Sequence, residues 1–314
     1  MLENRISNKS KMKKMLLFMA LGLIALYLYY QPIPLFSTDH AFKSVQQICE
    51  LNDSDPRVYT SFKNVTRNHL LFLLRGIYIS QLAKYSAMLA SYPLQLYPVS
   101  GGHWGKHEDT LFIYLRASHT SHDFVNDICL TTSAAAVGRV YNTPLRLARR
   151  LMADIKEKLV GVNRVVFTGM SLGASVAAIA AELVANDSEF DVDVQLVCFA
   201  PYCIGDKKYN SYVRKSVNSS WIIKNVCDVV TNAFANRVGN SILFDFECED
   251  RSSNHCNLVS MLNFIDVNEL ITDKAFYFSD ENPLEDEEPG KVVAVEGNAI
   301  DPVTGDEAHG DFSA

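Results

Sequence analysis

The segment Arg164 to Ala185 (RVVFTGMSLGASVAAIAAELVA) constrains this chain most, because two elements of different period meet in it with no room for a loop. RVVFT is a short β-branched and aromatic run that predicts a strand, and the Ala-rich stretch after it predicts a helix. Between them stands Gly169-Met170-Ser171-Leu172-Gly173. A strand that turns into a helix within five residues forces the central residue into a strained conformation and lifts its side chain clear of the sheet. Gly169 and Gly173 are expected where a Cβ two residues to either side would crowd that turn. The helix start then supplies backbone N–H groups, that of Leu172 among them, and positive dipole where an oxyanion would form. A serine so placed is a candidate nucleophile; a glycine-flanked serine that merely caps the helix is the plainer alternative.

The flanking chain repeats the strand-then-helix rhythm. Thr110 to Arg116 reads as a short apolar strand, and Pro144 to Lys158 as an amphipathic helix carrying Leu145, Leu147, Leu151 and Ile155 at helical spacing, with proline in its first turn. Val192 to Phe199 and Trp221 to Asn225 read as strands on either side of a helix over Lys207 to Val217, and Asn68 to Tyr92 as a long helix. Apolar strands alternating with helices imply a mostly parallel sheet covered on both faces, an α/β domain. No repeat or low-complexity linker interrupts residues 37–279, which are therefore expected to be one catalytic domain.

The 314-residue chain is 48% hydrophobic and 21% charged, a globular composition. Its net charge of -7 is concentrated at the carboxyl end, where Asp280 to Asp311 carry eleven acidic residues against Lys291 alone and leave the remainder at +3. That balance gives no support to nucleic-acid binding, and residues 280–314 are expected to be an acidic, solvated and disordered tail. At the other end, Arg5, Lys9, Lys11, Lys13 and Lys14 precede the uncharged run Met15 to Tyr30. Residues 1–36 are thus expected to be a targeting segment, either a signal anchor holding the chain to a membrane or a signal peptide. No small-x-small site follows the run, which favours the uncleaved anchor with a luminal or extracellular body. Sequons at Asn52, Asn64, Asn186 and Asn218 agree with a glycosylating compartment. The seven cysteines are an odd number, and no Cys/His cluster has zinc spacing, so neither metal nor cofactor is expected. Cys248 and Cys256 are placed to close a short loop around His255 in an oxidising compartment.

Four blocks, in order, carry a resemblance. VVFTGMSLGASVAAIAAEL is similar to the elbow of the class 3, fungal-type lipases, with Met170 where that family has His and Ala174 where it has Gly. CFAPYCIGDKKYNSYV resembles the family's segment after the next strand, and NVCDVVTN the segment that carries its acid. LFIYLRASHTSHDFVNDI resembles its strand ending in Arg-Gly-Thr/Ser with the helix that follows. The resemblance implies an α/β-hydrolase fold, a lipase or serine esterase active on acylglycerols or phospholipids, and Ser118 as an oxyanion-hole residue, with Ala117 in place of the usual glycine. It also places a lid nearby, for which His122 to Tyr141 are the candidate, and gives Asp123 and Asp127 capping or orienting roles.

The chemistry asks for the same partners. A serine hydroxyl needs a neutral histidine to take its proton and a carboxylate to orient that histidine, and α/β hydrolases present them in the order Ser, acid, His. Asp228 follows the apolar strand WIIKNV, where its carboxylate would project from a strand end; a surface aspartate closing a turn is the alternative. Only His255 and His309 come after it. His255 leads an apolar stretch, LVSMLNFI, able to dock on the core, whereas His309 sits in the acidic tail, so His255 is the expected base. The stretch Gly101-Gly102-His103-Trp104-Gly105 superficially resembles another oxyanion motif. It precedes the strand it would have to follow, so it is expected to be a flexible loop, and His103, His107, His119 and His122 surface or hydrogen-bonded histidines. Two other functions fit the same residues: deacylation of a protein or other thioester, and a lipase-like module that binds lipid or a partner without turnover.

Overall fold

Ten strands and four α-helices are described by the computed structural model, which covers residues 65–81, 92–118, 131–202, 204–225 and 228, together with strands at 240–245 and 292–296. Helix α1 (Arg67–Gln81) precedes β1 (Tyr97–Val99), β2 (Gly102–His107) and β3 (Thr110–Leu115). A small hairpin, β4 (Thr132–Ala134) and β5 (Arg139–Tyr141), leads into α2 (Asn142–Ile155). Then come β6 (Arg164–Met170), α3 (Leu172–Ala185), β7 (Asp193–Phe199), α4 (Lys207–Ser216) and β8 (Ser219–Asn225), with β9 (Asn240–Asp245) and β10 (Val292–Glu296) beyond.

The main sheet has eight strands in the order β1-β2-β3-β6-β7-β8-β9-β10. From β3 to β10 every neighbouring pair is parallel, while β1 and β2 add an antiparallel edge. This is the expected α/β-hydrolase arrangement. Because β3, β6, β7 and β8 are apolar on both faces, helices must cover both sides. Alternate residues divide accordingly. Phe112, Tyr114, Met170, Phe199 and Ile223 share one core with α1. Leu111, Ile113, Phe167, Leu196 and Ile222 share the other with α2, α3 and α4. Each such side chain taken fully out of water contributes about 1.5–3 kcal/mol.

Local chemistry explains the helices. In α2, Leu145, Ala148, Leu151 and Ile155 form the buried stripe, and Pro144 lies in the first turn, where its missing N–H has no intrahelical acceptor to lose. In α3 every residue from Leu172 to Glu182 is buried, and its many alanines let it lie close against β6, β7 and α2. Aromatic rings anchor α1: Phe72 stacks on Tyr92 at 5.4 Å, and the Tyr92 hydroxyl donates to the Phe72 carbonyl at 3.0 Å.

Several sequence expectations change. The Gly101 to Gly105 stretch is no flexible loop: Gly102–His107 is β2, paired in antiparallel register with β3. Its glycines suit that strand because a Cβ on Gly102 would fall 1.8 Å from the Tyr114 carbonyl oxygen. The helix expected over Asn68 to Tyr92 is described from Arg67 to Gln81, and Tyr92 lies outside it in a bend. Within the 280–314 segment expected to be disordered, Val292–Glu296 is a strand, parallel to β9. Its residues, VVAVE, are β-branched and apolar amid the acidic run. The targeting segment 1–36 lies outside the described residues, among which no helix is long and apolar enough to cross a membrane.

Candidate active site

Ser171 sits on the turn between β6 and α3 with φ 53° and ψ -121°, a conformation that costs a non-glycine residue about 1–3 kcal/mol. It occupies the helix N-cap position, yet its side chain makes no capping hydrogen bond. The plain capping role is thereby set aside, since a capping serine adopts extended backbone and accepts from the first turn. The side chain is half-buried on the carboxyl edge of the sheet.

What holds the strain is a set of bonds from the neighbouring strand. The Ser171 N–H donates to the Phe199 carbonyl at 3.0 Å, and the Ser171 carbonyl accepts from Tyr202 N–H at 3.4 Å and Ser175 N–H at 3.2 Å. The Ser175 hydroxyl also donates to the Tyr202 carbonyl, which ties the first turn of α3 to the segment after β7. Ala200, on that segment, has a left-handed φ of 44° of its own. Ser175 and Tyr202 were not singled out in the sequence; the available signal was a small polar residue one helical turn after Ser171, on an otherwise apolar helix.

The two glycines have distinct reasons. A Cβ on Gly169 would lie 2.4 Å from the Gly173 carbonyl group, so it is the turn itself that excludes a side chain there. A Cβ on Gly173 would lie 2.4 Å from the Arg116 carbonyl oxygen and 2.5 Å from that of Leu115. Gly173 therefore lets α3 press directly on the end of β3.

That contact brings the expected oxyanion residues to the elbow. Leu115 pairs with Gly169 across the β3–β6 ladder, so Arg116, Ala117 and Ser118 leave the sheet beside Met170 and Ser171. Ser118 is buried there, and Leu172 is the first residue of α3, with its N–H at the positive end of the helix. Asp228 is three residues past the end of β8, 1% exposed, with its N–H donating to the Asn225 carbonyl at 3.1 Å. This is no surface turn. Strand β8 lies two places from β6, which sets Asp228 about 10 Å from the elbow across the sheet.

His255 and His309 lie outside the described residues, as do His119, His122, Asp123, Asp127, Cys248 and Cys256. The lid candidate is described only from residue 131, and there it is the β4–β5 hairpin rather than a helix. It is pinned: Tyr141 N–H donates to the Ile204 carbonyl at 2.9 Å, and Asp206 accepts from the Arg139 N–H at 3.0 Å. His103 departs from its expectation, for it is buried and its Nδ1 has no hydrogen-bond partner among the described residues. Burial lowers its pKa and keeps it neutral. Cys198 is a free thiol buried in the core, where desolvation raises its pKa.

Residues 112–238 match the sequence model of the class 3 lipases. Over that segment the chain is similar to the class 3 lipases. Carboxylic ester hydrolysis is the chemistry of that family, and the matched segment runs from within β3 through the elbow to Asp228. Among solved structures, the chain is similar to a lipase from Rhizopus microsporus var. chinensis, at 13% identity over 57% of this chain and 75% of that one, TM-score 0.46. A triacylglycerol lipase from Penicillium expansum matches at 18% identity over 60% and 87%, TM-score 0.45. A fungal lipase–inhibitor complex matches at 16% identity over 53% and 75%, TM-score 0.46. No curated protein matches the chain in sequence.

Proposed function

We propose that this protein is a lipase that hydrolyses the acyl ester of a lipid, an acylglycerol or a phospholipid, through a Ser171 acyl-enzyme. The observation that carries the reading is the strained, uncapped and accessible Ser171 at a strand-to-helix turn, with a buried carboxylate, Asp228, at a strand end on the same edge. Ser171 Oγ attacks the ester carbonyl while His255 takes its proton, and Asp228 orients the imidazole and stabilises its charged form. The carbonyl oxygen becomes an anion facing the N–H of Leu172 and the N–H and hydroxyl of Ser118, each donor of this kind contributing about 10²–10³ in rate. His255 then protonates the leaving alcohol. A water, deprotonated by the same histidine, attacks the acyl carbon, expels Ser171 Oγ and releases the carboxylic acid. Residues 1–36 would hold this site close to a bilayer, with the body on the luminal or extracellular side.

The test is hydrolysis of a short-chain nitrophenyl ester by wild type and by Ser171→Ala. We expect kcat to fall on the order of 10⁴–10⁶ with an unchanged melting temperature. Hydrolysis at the wild-type rate by the folded variant would end the proposal.

A further inference from the structure

Helix α2 carries Arg146, Arg149 and Arg150 on its outer face, at spacings of three and four residues that make their head groups neighbours. All three are exposed, and none forms an ion pair with another described residue. The carboxylate on α2, Asp154, is engaged elsewhere, accepting the Ser100 N–H at 2.7 Å. Like charges at this spacing repel one another, and among the described residues no acidic side chain lines the groove to offset them.

The arginines border a groove of about 680 Å³ that is closed at its upper end by Ser133, Asn142 and Thr143. Asn142 bridges the hairpin to the helix: Ser133 Oγ donates to its Oδ1 at 2.5 Å, and its Nδ2 donates to Thr131 Oγ1 at 3.1 Å. Topology gives the groove its address. Helix α2 starts directly after Tyr141, whose N–H donates to the Ile204 carbonyl, so its N-terminus lies by the segment after β7 whose Tyr202 N–H donates to the Ser171 carbonyl. At 1.5 Å per residue, Arg146 is about 6 Å and Arg150 about 12 Å along the axis from Asn142. A cationic groove with hydroxyl and amide groups at its head thus opens beside the elbow.

Guanidinium forks match the several oxygens of a phosphate in bidentate geometry. We infer that this groove binds a phosphate ester, that of a glycerophospholipid headgroup, and thereby seats the carboxyl edge on an anionic bilayer. The nature of the lipid rests on the function proposed above; the binding itself needs no turnover.

The test uses the full chain and the triple variant Arg146→Gln, Arg149→Gln, Arg150→Gln, sedimented with vesicles of phosphatidylcholine alone or with about one-fifth phosphatidic acid. Phosphatidylcholine vesicles register whatever the apolar amino-terminal run contributes. Arg5, Lys9, Lys11, Lys13 and Lys14 attract phosphatidic acid in both proteins, so the measure is the difference between them: at roughly fivefold per arginine near an anionic surface, wild type should prefer those vesicles by up to about 100-fold more than the triple variant does. The variant should hydrolyse a soluble nitrophenyl ester as wild type does, which certifies its fold. Equal binding to both vesicles, or a preference that the triple substitution leaves undiminished, would overturn the inference. Binding of soluble glycerol 3-phosphate without any vesicle preference would assign the phosphate to a soluble ester and overturn the bilayer seat. Vesicle preference in a chain with no esterase activity would leave this inference standing while the proposed function fell.

Discussion

Gly173 shows how a single residue sets the geometry of the elbow. With no Cβ, it lets α3 meet the carbonyls of Leu115 and Arg116, so the two strand ends that carry Ser171 and Ser118 come together. Gly173→Ala places a methyl 2.4 Å from a backbone oxygen, and backbone has to move. The expected destabilisation is about 3 kcal/mol, the upper part of the overpacking range. In a melt that corresponds to roughly 6–12 °C. Esterase activity should fall further than stability explains, because Ser118 is displaced with β3. An unshifted melting temperature would show that strand and helix do not approach so closely. The need for glycine at 169 and 173 was legible in the spacing of the motif. Which backbone each one touches was not, since Gly173 meets residues more than fifty positions earlier in the chain. The clamp by Ser175 and Tyr202 was hidden for the same reason: a hydroxyl–carbonyl bond between a helix and a distant loop leaves no periodic trace.

At the scale of elements, α3 and α4 are joined by a buried polar pair. The Tyr209 hydroxyl donates to Glu182 Oε2 at 3.2 Å, and Asn186 Nδ2 donates to Glu182 Oε1 at 3.2 Å. Burial raises the Glu182 pKa above its ordinary 4.5, and the two hydrogen bonds only partly oppose it. The sign follows. With the folded pKa above the unfolded one, the contribution to stability is complete below pH 4.5 and is lost as pH rises through the folded value. Glu182→Gln leaves Oε1 to accept from Asn186, lets its Nε2 donate to the Tyr209 hydroxyl and removes the charge, so its melting temperature should exceed that of wild type at pH 8. The difference should close near pH 4. A constant difference across that range would mean that Glu182 is not the titrating group.

The elements themselves were read well where period and burial agree. The strands β3, β6, β7 and β8 are apolar on both faces, and α2 shows a clean stripe, so type and place followed from pattern alone. Strand β2 escaped because glycines usually signal a turn, whereas here they leave room for crowded neighbours: Gly102 meets the β3 backbone and Gly105 the Leu96 side chain. The β4–β5 hairpin escaped because strands of three residues are too short to show an alternation.

For the whole molecule, the parallel order from β3 to β10 lays the strand ends out along one edge, and this is what gathers residues from distant parts of the chain. Ser118, Ser171 and Asp228 stand at the carboxyl ends of β3, β6 and β8, with β7 between the last two. Ligand sites of open α/β sheets form at that edge. Composition marked the chain as globular and its carboxyl end as acidic, but an edge strand at Val292–Glu296 depends on a partner that the local sequence cannot display.

The central claim is that Ser171 is made reactive by a histidine and a carboxylate far from it in sequence. Reaction with a fluorophosphonate probe, followed by mass spectrometry of the labelled peptide, tests it most directly. The account predicts label on Ser171 in wild type, none in Ser171→Ala, and labelling slowed by about 10⁴ in Asp228→Asn and at least as much in His255→Ala. Folded wild type that takes no label, or variants at 228 and 255 that label at the wild-type rate, would contradict it.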